Sequence, residues 1–391
     1  MKDSFQKYYD RYPAELSLLL KILREGKHSG IAEAFKKNRI NEEYLLKLIS
    51  RHKVIGYLYK NLSPHLSSPA RSVFSNNYKE HTRHTLNYVR RLILTSQKLD
   101  KHQIPYLAFK GPVLSEMLYH NPLVKDSLDL DIWVPLKYVE KFQQIIYDEG
   151  FIRIAPKARL TPKQKKKNYS ISHHYTYLHK DERVVIELHW NITNPFSLFP
   201  LTFREAYKEY NTVTLNNHEL RTLSHEHYLL YLAVHGSSHK WSRLHWLKDF
   251  SALLKASSKE QLNRAFQVAE KLKLSKPLIQ ALWISHKIFD TPIDESFVNT
   301  KQIKNSFFFN TPLKSIPKPT QKLKKEKIKT IFYRWQIRKN AAYRFSLLFR
   351  LRTHFKDWET LKLPDSLFFL YYPLRPFLFL YRLIFSRLKR N

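Results

Sequence analysis

The chain has 391 residues, 43% of which are hydrophobic, and it carries a formal net charge of +35 at pH 7. Its length and hydrophobic content predict a folded protein of two or three units, since a domain commonly takes about 100 to 200 residues. The charge favours polyanionic partners, namely nucleic acid, anionic lipid, nucleotide or acidic glycan, without choosing among them. The absence of cysteine excludes disulfides and thiolate metal sites.

Residues 1–100 predict a helical N-terminal region. Apolar residues recur at helical intervals, and Pro69 suits the first turn of a long helix that extends to about Leu99. Near the N-terminus the apolar run Leu16 to Leu20 is too short for the core of a signal peptide. Cytoplasmic residence is therefore the expectation.

Residues 101–223 predict a mixed α/β core, and one stretch of it carries candidate chemistry. Tyr106 to Phe109 is a short apolar run that ends at Lys110 and Gly111, and apolar residues follow at helical spacing. This pattern predicts a strand, a tight turn and a helix. Gly111 would let the backbone approach an anion closely, and Lys110 would add a cation beside it.

Two acidic residues alternate with apolar ones in the next predicted strand, residues 128–134. One face of that strand is predicted to be apolar, with Leu128 as its first residue, and the other face to carry Asp129 and Asp131. Carboxylates two residues apart on a strand are about 6.5 Å apart, which is close enough to hold hard divalent cations between them. Glu187, in a later strand-like run, is the best candidate for a third acid.

Six lysine and arginine residues are concentrated in residues 157–167, between two predicted strands. A mobile loop is the prediction, and two interpretations of it stay open. The loop is either the solvated tip of a hairpin or a lid that gathers anions near the strand leading to Glu187.

Residues 224–300 predict a helical domain. Ser224 is a favourable N-cap for its first helix. After that helix, Lys240 and Arg243 are the candidates in this region for contact with a phosphate or a base.

Residues 301–391 form a basic, aromatic-rich C-terminal tail with 22 Lys and Arg against four Asp and Glu. No apolar stretch of about 18 residues is uninterrupted, which argues against a transmembrane helix. Two interpretations of the aromatic side chains after Pro364 stay open. Either they bind peripherally at an anionic membrane surface, the inner membrane surface, or they form part of an ordinary core. The cations that would attract headgroups at such a membrane include Arg375, Arg382, Lys389 and Arg390.

These motifs resemble the nucleotidyltransferase fold of the polymerase β-like superfamily, and they are more similar to a bacterial family of largely uncharacterised nucleotidyltransferases. That family's pattern is Lys-Gly, a helix ending near Tyr, a basic residue, Asp-x-Asp, and a later acid followed by x-His-Trp. The matching positions here are Lys110-Gly111, Tyr119, Lys125, Asp129-Leu130-Asp131 and Glu187-Leu188-His189-Trp190. The resemblance implies an α+β fold, with a mixed sheet and flanking helices between helical N-terminal and C-terminal regions.

The resemblance also implies metal-dependent transfer of a nucleoside monophosphate from an NTP, such as ATP, to a hydroxyl-bearing acceptor. Asp129, Asp131 and Glu187 would be catalytic and would hold two Mg²⁺ ions, with Mn²⁺ as the alternative. The implied nucleotide-binding residues are Lys110, Gly111, Lys125, Lys240 and Arg243.

One position departs from the wider superfamily, in which many members have Gly-Ser at the first turn. Here Gly111 is followed by Pro112, and proline supplies neither a hydroxyl nor an N–H group. Either nucleotide binding is weaker than in other members, or Lys110 takes over the contact that the serine makes with the phosphate.

A non-catalytic adaptor is the alternative function. In that case the fold is a scaffold, and the basic loop and tail bind a membrane or nucleic acid. The three acids favour the enzyme, because an adaptor has no need of them.

Overall fold

The computed structural model describes residues 12–26, 30–37, 40–194, 196–294, 297, 303, 306–318, 327–348 and 353–388. Across these residues the fold is α+β, as predicted: a five-stranded mixed sheet lies between helical N-terminal and C-terminal regions of the chain. Lys389 and Arg390, two of the cations predicted to attract headgroups, lie outside the described residues.

Among the described residues, five α-helices precede the sheet. They are α1 (Ala14–Glu25), α2 (Ile31–Lys37), α3 (Glu42–His52), α4 (Ile55–Leu62) and α5 (Ser68–Lys101). The last of them has 34 residues and carries Pro69 in its first turn, as predicted.

The sheet alternates strands with short helices. Its elements are β1 (Leu107–Phe109), α6 (Gly111–Tyr119), β2 (Leu130–Trp133), α7 (Val139–Asp148), β3 (Phe151–Ala155), α8 (Pro162–Ile171), β4 (His174–His179) and β5 (Val184–His189). The strand order is β1-β2-β5-β4-β3. Strands β2 and β5 are parallel, and the other neighbouring pairs are antiparallel. The parallel pair places two distant segments of the chain side by side.

Two predictions about this region are wrong. Strand β2 begins at Leu130, so Leu128 does not start its buried face and is 52% exposed. Residues 157–167 are not a loop throughout, because α8 occupies their second half. Thr161 and Gln164 start this helix as a capping box, in which each side-chain oxygen accepts a hydrogen bond from the backbone N–H of the other residue.

A small hairpin and further helices follow the sheet. They are α9 (Phe203–Lys208), β6 (Asn211–Leu215), β7 (His218–Thr222), α10 (His225–Ser238), α11 (Leu244–Lys255), α12 (Lys259–Lys271), α13 (Ser275–Phe289), α14 (Phe307–Ser315), α15 (Lys327–Trp335), α16 (Ala341–Leu348), α17 (Phe355–Thr360) and α18 (Tyr371–Leu388). Ser224 caps α10 by accepting a hydrogen bond from the N–H of His227, as predicted. Within the described ranges, every helix is too short or too polar to cross a bilayer.

Two large hydrophobic clusters hold these elements together. The first joins apolar residues of α1, α3 and α4 to those of α10, α11 and α13, so the N-terminal helices share a core with helices that follow the sheet. The second lies between the sheet and the helices α5 and α7. A third, small cluster packs the last helices against α8. The four predicted units, with boundaries at residues 100, 223 and 300, stay a prediction.

Candidate active site

The turn between β1 and α6 has an unusual backbone that suits its Lys-Gly sequence. Lys110 has a φ of 65° and Gly111 a φ of 44°, in the region that residues with a Cβ rarely adopt. A Cβ on residue 111 would also lie 3.2 Å from Ser127 Oγ. The backbone N–H of Lys110 donates a hydrogen bond of 3.3 Å to the hydroxyl of Tyr228 on α10. Strand, turn and helix therefore follow one another as predicted, and α10 supports the turn.

Asp131 and Glu187 lie opposite each other in the parallel pair β2–β5. Asp131 is 3% exposed, and its Oδ1 lies 2.5 Å from Lys110 Nζ and 3.0 Å from His189 Nε2. The same nitrogen of His189 lies 3.2 Å from Glu187 Oε2. A histidine thus bridges the two carboxylates and a lysine pairs with one of them, which offsets the cost of burying their charge.

The pKa values of Asp131, Glu187 and His189 favour the charged form of each group at neutral pH. Burial acts to lower the pKa of His189, but its hydrogen bonds to Asp131 and Glu187 raise that pKa to about 9. Burial acts to raise the pKa of Asp131, yet Lys110 and His189 hold it below its usual value. The hydrogen bond from His189 likewise lowers the pKa of Glu187 to about 2 against the effect of burial. All three groups are therefore charged near neutral pH.

Asp129 precedes β2 and lies beside this cluster. Burial, together with repulsion from Asp131 and Glu187, raises its pKa to about 7, while Lys110 and Lys53 oppose the increase. Asp129 also lines a small crevice together with Asp131, Lys110 and Gly111, which places it at the same site. Lys53, at the C-terminal end of α3, belongs to no recognisable motif and is absent from the sequence-based prediction.

Two sets of side chains among the described residues can hold a metal ion. In each set the ligand atoms lie within 4.8 Å of one another, and the sets are Asp131, Glu187 and His189, and His173, His174 and His189. Asp131 Oδ2 is buried and accepts no hydrogen bond from any described residue, as expected of an oxygen that binds a cation. Carboxylate oxygens suit Mg²⁺ and Mn²⁺, so Asp131 and Glu187 of the first set fit the predicted ions. The protonated ring of His189 offers no lone pair to a metal ion at neutral pH.

His173 and His174 extend the cluster, although the sequence-based prediction omits them. His174 Nε2 lies 3.5 Å from Glu187 Oε1, and its Nδ1 lies 3.0 Å from His173 Nε2. Burial lowers the pKa of His174 to about 4, with His189 adding to the decrease, so the ring is neutral at pH 7. The pairing of β4 with β5 places His174 opposite His189. The sequence signal that could have identified these two residues is a pair of adjacent histidines just before a predicted strand.

A cavity of about 340 Å³ opens beside the acid cluster, a volume typical of small-ligand sites. Its lining residues include Lys110, Glu187 and His189 from the cluster, Tyr231 and His235 from α10, His239 just after α10, and Arg334 and Tyr343 from α15 and α16. Burial lowers the pKa of His239 to about 4. A lining that combines neutral aromatic rings with cations suits a ligand that has both a planar ring and negative charge.

Arg334 is a cation of this cavity that the sequence analysis missed. Its side chain also donates a 3.4 Å hydrogen bond to the carbonyl oxygen of Ser238 on α10. Nothing in the local sequence distinguishes Arg334 from the other cations of the C-terminal tail. Only the folded chain brings it to the same cavity as Glu187.

Lys125 lies in a buried ion pair away from this cavity. Its ammonium group is bonded to Asp249 on α11, and both side chains are buried. Asp249 also accepts hydrogen bonds of 2.8 and 2.9 Å from the hydroxyls of Tyr57 and Tyr119. These contacts join α4, α6 and α11, and they do not support the predicted contact of Lys125 with a nucleotide.

Lys240 and Arg243 follow α10, and each contacts a residue of a later helix. Lys240 Nζ donates a 2.7 Å hydrogen bond to Thr330 Oγ1 on α15, and the guanidinium carbon of Arg243 lies 5.6 Å from the ring centroid of Trp246. Neither is among the residues that line the cavity, and their contact with a phosphate or base stays a prediction. By contrast, one small crevice is lined by Lys110, Gly111, Asp129 and Asp131.

Comparisons with known proteins gave matches of two kinds. The model of a family described as uncharacterised nucleotidyltransferase matches residues 38–290. Among solved structures, an antigenic nucleotidyltransferase-like protein from Paracoccidioides brasiliensis is similar at 14% identity, over 49% of this chain and 91% of that chain, with a TM-score of 0.30. No curated protein matches the chain.

Proposed function

The chain belongs to the family of uncharacterised nucleotidyltransferases, and from this premise we propose that it transfers a nucleoside monophosphate from an NTP to a hydroxyl-bearing acceptor with the help of divalent metal ions. The observation that carries the proposal is the pairing of Asp131 with Glu187 across β2 and β5, with Lys110 beside them at the turn. Carboxylates that hold cations and a lysine that neutralises phosphates are recurring parts of phosphoryl-transfer sites.

Asp131 and Glu187 are the proposed metal ligands, and Asp129 is proposed to join them. With a pKa of about 7, Asp129 would lose its proton readily once a cation offsets the repulsion from the other two acids. Bound Mg²⁺ or Mn²⁺ would lower the pKa of the acceptor hydroxyl and stabilise the charge on the leaving pyrophosphate. His189 would hold both carboxylates in position through its hydrogen bonds.

Lys110 and Gly111 are proposed to contact the triphosphate. The half-buried side chain of Lys110 reaches the cavity, and the glycine leaves room for a phosphate to approach the backbone at the start of α6. Pro112 has no N–H to donate, so the ammonium group of Lys110 would supply the contact that a serine hydroxyl makes in the wider superfamily.

Replacing Arg334 with Gln is expected to raise the KM for the NTP about tenfold and to change kcat much less. A cation that contacts phosphates equally in the ground state and the transition state contributes to binding rather than to the chemical step. Initial rates over a range of NTP concentrations measure both constants. Lys339→Gln removes the same charge from an exposed position nearby and should leave KM unchanged. Equal effects of the two substitutions would indicate general attraction by the basic tail instead.

Label transfer from α-labelled NTPs tests the proposed function. Thermal unfolding with each NTP and Mg²⁺ or Mn²⁺ first identifies the base, because a ligand that binds the native state raises its stability. Transfer is then screened against protein, RNA, sugar and lipid extracts. We expect label in one acceptor class, only with metal present. If no NTP stabilises the protein and no label moves, the adaptor function should replace this proposal.

A further inference from the structure

Helix α18 packs on the rest of the protein through its charged side. Arg382 Nη2 lies 2.7 Å from Asp357 Oδ1, and Arg375 is bonded to the other carboxylate oxygen. Asp357 is fully buried, so the two arginines offset the cost of burying its charge. Tyr371, at the start of α18, is also fully buried. Arg375 and Arg382, two of the cations predicted to attract anionic headgroups, therefore face the protein.

The opposite side of α18 is apolar and exposed. Its residues are exposed by between 42% and 69%, and they are Tyr372, Phe377, Phe379, Leu380, Tyr381 and Ile384. At 3.6 residues per turn these positions cover roughly 200° of the helix circumference, away from Arg375 and Arg382. A contiguous apolar surface of this kind marks an interaction site rather than ordinary solvent-exposed surface.

Lysines of α8 border this apolar side. Lys166 is exposed and lies three residues after Lys163, so the two side chains share one face of α8. Lys167 Nζ lies 5.4 Å from the ring centroid of Tyr372, and Lys163 Nζ lies 5.8 Å from that of Phe368, in the turn before α18. The backbone N–H of Lys163 also donates a 3.1 Å hydrogen bond to the carboxylate of Asp365. Two segments that are far apart in the sequence, the basic run and the aromatic tail, thus form one surface.

We propose that the exposed side of α18, together with Lys163, Lys166 and Lys167 of α8, binds the surface of an anionic phospholipid bilayer. Phenylalanine, tyrosine and leucine side chains would enter the boundary between headgroups and acyl chains, and the lysines would contact the phosphates. Because the charged side of the helix is bonded to Asp357, α18 would lie in the plane of the membrane. This binding goes beyond the proposed transfer reaction and does not depend on it.

The charge of the chain favours a bilayer, rather than a second copy of the protein, as the partner that covers the exposed side of α18. The net charge is +35, and the tail alone carries 18 more Lys and Arg than Asp and Glu. Two copies that met at this surface would bring lysines close to lysines, and like charges repel. An anionic bilayer offers both an apolar interior and the opposite charge.

Vesicle co-sedimentation of the full-length protein tests this proposal without any nucleotide, so its outcome is separate from that of the transfer assay. We expect binding to vesicles of phosphatidylglycerol mixed with phosphatidylcholine, and none to phosphatidylcholine alone. The triple variant Phe377→Ser, Leu380→Ser, Ile384→Ser and the triple variant Lys163→Gln, Lys166→Gln, Lys167→Gln should each bind at least about tenfold more weakly. Lys165 is left unchanged because it pairs with Glu140.

Matched controls remove similar groups from exposed positions elsewhere. Val73→Ser with Leu86→Ser is the apolar control on α5, and Lys208→Gln, Lys255→Gln, Lys271→Gln is the charge control. Both should bind vesicles as the unchanged protein does. If the apolar triple variant unfolds, Phe377→Ser alone replaces it. Equal binding to neutral and anionic vesicles would overturn the proposal, and so would no binding to anionic vesicles. It would also be overturned by a dimer that the apolar variant alone disrupts while vesicle binding persists.

Discussion

Asp131→Asn is expected to abolish metal-dependent nucleotidyl transfer, with kcat reduced by at least about a hundredfold. The amide keeps the volume of the side chain but removes the carboxylate that pairs with Lys110 and His189 opposite Glu187. A bound cation would lose an anionic ligand, and with it several kcal/mol of charge stabilisation in the transition state. Label transfer and pyrophosphate release at saturating Mg²⁺ or Mn²⁺ measure the loss.

The same substitution is expected to lower the free energy of unfolding by about 1 to 3 kcal/mol, because Lys110 and His189 would keep their charges beside a neutral partner. Rates must therefore be compared at a temperature at which circular dichroism shows the variant to be folded. Asp181→Asn makes the same chemical change at an exposed turn and should retain both activity and stability. Turnover of Asp131→Asn close to that of the unchanged protein would refute the role of Asp131 as a metal ligand.

Lys125→Met is expected to lower the free energy of unfolding by about 3 to 5 kcal/mol, the usual cost of removing one partner from a buried ion pair. Methionine fills much of the space of the lysine stem, but it leaves the carboxylate of Asp249 buried without its cation. The hydroxyls of Tyr57 and Tyr119 would still donate to Asp249, and two neutral donors do not replace an ammonium charge. Equilibrium unfolding in urea measures the change.

The double variant Lys125→Met, Asp249→Leu distinguishes the effect of an unpaired buried charge from the effect of a changed side-chain shape. Removing both charges should restore part of the lost stability, because no unpaired charge then remains buried. Lys255→Met, at an exposed position of α11, is the matched control and should change stability by less than about 0.5 kcal/mol. A cost for Lys125→Met as small as that of Lys255→Met would mean that water reaches Asp249 and that the ion pair contributes little to stability.

The local sequence was sufficient to predict the strand and helix around the Lys110-Gly111 turn, but it did not predict where neighbouring elements begin. Lys110 and Gly111 predict a tight turn, and the apolar run before them predicts a strand; the structure has β1 at that run and a positive φ at both residues of the turn. The alternation of apolar and acidic residues already begins at Leu128, although β2 begins only at Leu130. A period of two does not indicate at which residue a strand starts to pair with its neighbour. The start of α8 had a local signal in Thr161 and Gln164, which the lysines around them obscured.

Candidate side chains were predictable by type, and their contacts were not. Lys110 and Lys125 are both lysines that match family motifs, yet one pairs with Asp131 beside the cavity and the other with Asp249 inside the helical core. Arg334 is one cation among many in the tail, and it reaches the cavity only through the packing of α15. Charge in a sequence therefore identifies possible partners of an anion, whereas burial decides which anion each cation meets.

The sequence by itself determined that the chain would have a mixed sheet between helical regions, a Lys-Gly turn after the first strand, and acids at Asp131 and Glu187 on two separate strands. These features depend on periodicity and backbone conformation, which are properties of neighbouring residues. Only the tertiary structure decided that β2 and β5 pair in the register that sets Asp131 opposite Glu187, and that α18 turns its arginines inward and its aromatic side outward. Register and helix orientation depend on contacts between residues far apart in the chain, because the partner that buries a surface or neutralises a charge is specified by packing and not by local pattern.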